Sequence, residues 1–290
     1  MPIQLADASG SHGAPSVRKL FQVASPGEVI RSFPLPSSAA EVEVCTDDGS
    51  RRKLDVLEDT AVWPSPDEPP SLRPVFVPSI DMLAHTRRFL STFDNYNIDF
   101  DLTCRDIVSL LLSPEKRQPD DLGIDISKLS GGLATDVDEQ DERFYVTTPA
   151  GRVAAPMVAE GVRKMATIVQ LIRNGWIRPG STLFWDEPEV SLNPSLMDEL
   201  VRAILTLARA GVQVFLATHS YVLLKEFDLQ AEAGEVRYFA LESTNDGVAV
   251  HPANDYSDIQ PNMIAEQFDS IYDRQLTRAT GRSRKGANGR

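Results

Sequence analysis

The chain has 290 residues, 42% of them hydrophobic, enough to bury the core of one large α/β domain or of one domain carrying an insertion. Its formal charge is −13, from 42 acidic against 29 basic residues, which repels phosphate backbones and argues against direct nucleic-acid binding. No apolar run approaches the roughly 18 residues that cross a bilayer, and Cys45 and Cys104 stand in no ligand-like spacing, so a cytoplasmic protein with no membrane role is expected.

Residues 1–16 are rich in Gly, Ser, Ala and Pro and read as a disordered lead-in. A single domain is expected over 17–276, with a helical insert near 80–115 and a basic disordered tail over 277–290. AEVEVCTDDGSRRKLDVLED alternates apolar and polar residues about Asp48-Gly49, a hairpin pattern. VWPSPDEPPSLRP holds five prolines between 64 and 74 and reads as an extended connector. PVFVPS is a short buried strand, and IDMLAHTRRFLSTF follows with helical periodicity through Ile80, Leu83, Phe89, Leu90 and Phe93. CRDIVSLLLS gives another short helix, 118–142 is acidic and contains glycine, and DERFYVTTPAGRVAAP forms a second hairpin turned at Pro149-Ala150-Gly151.

AEGVRKMATIVQLIRNG has the spacing of a helix buried along one face and stops at Gly175. STLFWDE is a strand. NPSLMDELVRAILTLARAG is a helix with Asn193 as cap, Pro194 in its first turn and Gly211 past its end. The strand VQVFLATHS, a short helix at YVLLKEF, the strand EVRYFAL and a last helix over roughly 258–276 complete the chain. This alternation implies an α/β fold: a parallel sheet flanked by helices, preceded by antiparallel hairpins.

Ligands of parallel α/β sheets sit beyond the carboxyl ends of the strands, where Asp186-Glu187 ends one strand and Thr218-His219-Ser220 ends the strand reached through a single crossover helix. Such a site suits phosphoryl transfer to water, in which the protein positions groups and neutralises charge. Asp186 would hold Mg²⁺, a hard cation that takes oxygen ligands and keeps part of its hydration shell. Glu187 would orient or deprotonate the attacking water, and His219 would reach the γ-phosphate. A structural acid pair at a polar strand end is the competing explanation, weakened by PE, SLNP and THS at these intervals.

LFWDEPEVSLNP followed by QVFLATHS resembles the Walker B, D-loop and switch-histidine segments of ABC-type ATPases, in particular the RecF/SMC-like members grouped as AAA-family ATPases. The resemblance covers about 70–260, with its tight motifs within 157–220, and implies a P-loop NTPase-like fold that binds ATP and Mg²⁺. It implies Asp186 for magnesium, Glu187 as catalytic carboxylate, Ser191 to Pro194, including Asn193, as a D-loop contacting a second protomer, and His219 as the switch. It also requires a signature motif, a helix N-terminus that caps the γ-phosphate from the opposite protomer. The string LSGG at Leu129 to Gly132 leads into the acidic ATDVDEQDE and reads as a solvated turn. MVAEGVRKM at 157–165 opens a clean helix instead, and places Glu160, Gly161, Arg163 and Lys164 at its start. There Ala159-Glu160-Gly161 stands where transporters of this class have Ser-Gly-Gly, so a hydroxyl is missing and a carboxylate sits near the phosphate, a variation the soluble members tolerate.

A phosphate loop of the form G-x-x-x-x-G-K-[ST] does not occur, since the sequence has no Gly-Lys dipeptide. ASGSHGAPSVRK at 8–19 has glycines, but lacks a preceding strand and a well-placed lysine. Pro78-Ser79-Ile80-Asp81 ends the PVFVPS strand, and Ser79 or Asp81 stands either where relatives sense the magnesium site or as the cap of the next helix. The expectation is an ATP-hydrolysing domain that is N-terminally truncated or depends on a P-loop supplied elsewhere. The alternative is a catalytically inactive dimerisation or regulatory module. A second copy or an ATPase partner is the expected protomer, and a separate nuclease or toxin partner is open, because the segment after His219 has no DxD and no room for a nuclease domain.

Overall fold

A computed structural model describes residues 39–45, 51–57, 61–62, 74–116, 122–126, 129, 131, 134, 136–245 and 247–280. The expected lead-in, the candidate loop at 8–19, most of the proline connector and residues 281–290 lie outside them. The chain divides into two units, Met1–Ala217 and Thr218–Arg290.

In the first unit, β1 (Ala39–Cys45), β2 (Arg51–Leu57) and β3 (Ala61–Val62) form an antiparallel sheet, with Val42 opposite Leu54 as the hairpin pattern requires. β4 (Val75–Val77) follows, then a 3-10 turn at Leu83–His85, α1 (Phe89–Asn95) and α2 (Leu102–Leu111). The expected continuous helix from Ile80 is therefore broken. Arg88 lies in the left-handed region at φ 56, its N–H donates to Glu142 Oε2 at 2.7 Å, and Thr86 Oγ1 donates to the Glu142 carbonyl at 2.7 Å. A tertiary contact overrides local periodicity there. Asp101 caps α2, accepting from the N–H groups of Thr103 and Cys104.

β5 (Asp136–Gln140), β6 (Arg143–Thr148) and β7 (Gly151–Ala154) form a second antiparallel sheet. The β6–β7 hairpin is the expected one. β5 arises in the acidic stretch, joined to β6 by Asp141-Glu142, both with positive φ as a two-residue hairpin turn demands. α3 (Glu160–Arg173) is buried at every position from 164 to 172, so it is a central helix and not one buried along a single face. β8 (Thr182–Asp186), α4 (Met197–Arg209) and β9 (Gln213–Ala217) then give a strand, a crossover helix and a strand. The parallel sheet has the order β4-β8-β9, and it places the fold in the expected α/β class with antiparallel hairpins ahead of the parallel layer.

The second unit contains α5 (Tyr221–Gln230), β10 (Tyr238–Thr244), β11 (Gly247–Ala253) and α6 (Met263–Thr280). β10 pairs with β11 as an antiparallel hairpin and does not extend the parallel sheet, contrary to the alternation expected from EVRYFAL. Tyr221 of α5 stacks on Phe268 of α6, ring centroids 4.3 Å apart. α6 carries helix through Thr280, into the stretch expected to be tail. No helix among the described residues is long and apolar enough to cross a membrane.

Asn174, 5% exposed, ties the carboxyl ends of α2 and α3 together. Its Nδ2 donates to the carbonyls of Leu110 and Leu111, both at 3.0 Å, while its Oδ1 accepts from Gln170. Asn174→Leu removes these donors from a buried helix end, so chemical denaturation is expected to show a loss of about 2–3 kcal/mol. A loss within experimental error would show that the bridge contributes nothing.

Candidate functional site

The carboxyl edge of β8 is built by ladder register. Asp186, the last residue of β8, pairs with Ala217, the last of β9, and Glu187 N–H adds one more bond, to the Ala217 carbonyl at 2.9 Å. At Glu187 the chain turns out of the sheet through the left-handed region, φ 44, which an L-residue occupies at a cost of about 1–2 kcal/mol. The Glu187 carbonyl accepts from two groups, the N–H of Val190 at 3.1 Å and Nζ of Lys164 at 3.1 Å. Asp186 and Glu187 are both half-buried, so a strand that is otherwise apolar delivers two adjacent carboxyls to the sheet edge.

The loop beyond is shaped by a second left-handed residue, Ser191 at φ 64, and by Leu192 N–H donating to the Glu189 carbonyl at 3.0 Å. Ser191 and Asn193 are exposed. The Asn193 side chain accepts from Ser195 N–H and Oγ, each at 3.0 Å, so it caps a 3-10 turn at Pro194–Leu196, while α4 itself begins at Met197 and has no side-chain cap, later than the sequence pattern implies.

The start of α3 packs against this loop within the same chain. A Cβ at Gly161 would lie 2.5 Å from Leu192 Cδ1 and 3.0 Å from Leu192 Cα, so glycine permits the close approach of helix and loop. Glu160 is half-buried in the first turn, and Ala159 at the cap position provides no side-chain acceptor. Arg163 turns inward. Its Nε meets Asp81 Oδ2 at 2.5 Å, and its guanidinium also donates to the Val158 carbonyl. Asp81 is itself 8% exposed and accepts from Leu83 N–H at 3.3 Å, so it links the 3-10 turn to α3. Lys164 is 3% exposed, and burial holds its ammonium below the ordinary lysine range despite the opposing fields of Glu160, Glu189, Asp81 and Glu187.

The sequence reading grouped Lys164 with residues at an open helix start, and it missed both inward contacts. The available signal was periodicity, since Lys164 lies four residues before Ile168 and seven before Leu171, both fully buried. In the LSGG string, Leu129 is buried and Gly131 turns at φ 61 toward the Glu199 carboxylate, while Ser130 and Gly132 are outside the described residues. His219 belongs to the second unit, where it is exposed ahead of α5, whose cap Ser220 accepts from Leu223 N–H at 3.2 Å.

The donor set of the edge suits a hydrated Mg²⁺. Among the described residues no cluster of three or more His, Cys, Asp or Glu forms a cage, and magnesium is commonly held by one or two carboxylates together with substrate phosphates and water.

Residues 84–225 match the family described as "AAA domain, putative AbiEii toxin, Type IV TA system". This stretch, just under half of the chain, is similar to an AAA domain. Among solved structures, the chain is similar to the SMC head domain from Thermotoga maritima, at 12% identity and TM-score 0.40, over 77% of this chain and 77% of that one. It is also similar to the Smc head domain with an extended coiled coil bound to the C-terminal domain of ScpA from Pyrococcus furiosus, at 9% identity and TM-score 0.33. That second match spans 53% of this chain and 37% of the other. No curated protein sequence matches. The matched AAA stretch contains β8, α3 and the loop from Glu187 to Asn193.

Gly161→Ala puts a methyl group into the Leu192 backbone and is expected to cost about 1–3 kcal/mol by thermal or chemical unfolding. Stability equal to the parent chain would mean that helix and loop are not in contact in solution.

Proposed function

We propose that the AAA domain is the hydrolytic half of an ATP site. In this reading Asp186 holds Mg²⁺ through water, Glu187 orients the attacking water as the Walker B glutamate, and His219 reports the γ-phosphate. Glu160, Gly161 and Arg163 form the signature-like helix end, with Arg163 acting through the helix it anchors. Ser191 and Asn193 form the D-loop side facing a second protomer. When bound, the metal neutralises charge on the transferring phosphoryl group. The observation that carries the reading is the pair of adjacent carboxyls at the end of the central strand, the second fixed by hydrogen bonds at both its N–H and its carbonyl. A scaffold has no need of two neighbouring carboxyls there, where they repel.

In this reading the phosphate-gripping loop is supplied elsewhere, because the sequence has no Gly-Lys dipeptide. Among the described residues, one face of the parallel sheet is apolar and suits a covering segment. Phe76, Phe184 and Phe215 lie in one row across β4, β8 and β9, with Phe184 39% and Phe215 44% exposed and their rings stacked 4.9 Å apart. Parallel sheets are normally covered on both faces, and a strand–loop–helix segment carrying a phosphate loop would bring such a cover. The second reading, a non-hydrolytic dimerisation module, is favoured by the lack of a Gly-Lys dipeptide. The toxin–antitoxin context in the family description fits a separate toxin or nuclease component as partner.

The test is expression from the native locus with a C-terminal tag, so that co-translated or associated segments are retained. The purified material is expected to hydrolyse ATP only with Mg²⁺, and Glu187→Gln to lower turnover about 100-fold or more while nucleotide binding persists. Absence of turnover would establish the non-hydrolytic module instead, and full turnover in Glu187→Gln would overturn the role given to Glu187.

A further inference from the structure

Lysine is almost never fully buried unless paired, and an apolar side chain of similar length on a buried helix face is usually at least as stable. Lys164 is nevertheless 3% exposed, in the middle of the buried run of α3. Its one direct hydrogen bond among those described goes to a backbone oxygen, that of Glu187, at 3.1 Å. The acceptor belongs to the residue that leaves β8 in the left-handed region, φ 44. Left-handed conformations persist where the surroundings over-determine them. Here the surroundings are the Ala217 carbonyl on the N–H side, and Val190 N–H with Lys164 on the carbonyl side. One turn earlier on the same helix, Gly161 touches Ser191 and Leu192. α3 therefore holds the loop at both ends, Glu187 through an ammonium and Leu192 through close packing.

We propose that Lys164 is a positioning residue, which fixes the Glu187 peptide and makes the direction of the Glu187 carboxyl depend on the first two turns of α3. The assignment rests on the hydrolytic reading for its catalytic consequence, but the contact itself is testable without turnover. The buried ammonium gives a charge-assisted bond to a carbonyl already shared with Val190 N–H, and such bonds are about twice as strong as neutral ones. Methionine at 164 would fill nearly the same space and remove the donor together with its charge.

The experiment is amide hydrogen exchange by mass spectrometry on the full chain, comparing the parent, Lys164→Met and Glu187→Gln. Lys164→Met is expected to accelerate exchange about tenfold at Glu187, Val190 and Leu192, with the amides of Leu183, Trp185 and the α3 interior unchanged. In material that turns over ATP, the same variant is expected to lower kcat with KM nearly constant, because the affected group acts on water and not on nucleotide. Glu187→Gln keeps the backbone carbonyl and should leave loop exchange as in the parent, whatever it does to turnover. Loop acceleration in Lys164→Met without hydrolysis in any preparation supports the positioning contact and sinks only the hydrolytic reading. Unchanged loop exchange in Lys164→Met, or equal acceleration throughout β8 and α3, would overturn the positioning role.

Discussion

The Glu187 peptide is clamped from two directions, its N–H by the last carbonyl of β9 and its own carbonyl by Val190 and the buried ammonium of Lys164. Much of the first unit serves that clamp. β8 and β9 must be in register to the last residue for the N–H bond to form. α3 must run through the centre of the unit for Lys164 to reach across. Its position is set by Asn174 at one end and by the Arg163–Asp81 pair near the other. That pair is buried, with side chains 14% and 3% exposed, so loss of one partner alone would strand a charge at a cost of about 3–5 kcal/mol.

Charge follows the same geometry. Asp186 ends β8, Glu187 and Glu189 follow it in the loop, and Glu160 opens α3, whereas Arg163 and Lys164 turn their positive charges toward Asp81 and the Glu187 carbonyl. In a chain of net charge −13 this edge does not attract polyphosphate by itself. A magnesium ion and a basic phosphate-gripping segment would reverse that local field, which gives the proposed division of the ATP site a physical basis. The exposed phenylalanine row on the same sheet is the apolar counterpart of that requirement.

The features legible in the sequence were those encoded locally. The apolar run ending in Asp186-Glu187 and the glycine after α4 each specify an element through nearby residues and appear where expected, while Asn193-Pro194 opens a 3-10 turn one step ahead of α4. The departures come from contacts distant in sequence. Arg88 leaves helical geometry because Glu142 takes its N–H, from 54 residues away. β5 was hidden because its turn uses Asp141-Glu142 in place of the usual Asn-Gly or Asp-Gly. β10 was placed in the parallel sheet by alternation alone, which cannot separate a further parallel strand from a strand that pairs with its own successor. Lys164 is read from the sequence at the helix start, although its place in the apolar repeat, four residues before the buried Ile168, already points inward.

The central claim, that Asp186 anchors a nucleotide-bound cation at the β8 edge, is tested most directly by electron paramagnetic resonance with Mn²⁺ in place of Mg²⁺. The sample is the chain purified with its native associated segments, in the presence of ATP. An ATP-dependent bound-Mn²⁺ signal is expected in the parent and in Glu187→Gln, and its loss in Asp186→Asn. An undiminished signal in Asp186→Asn would contradict the account.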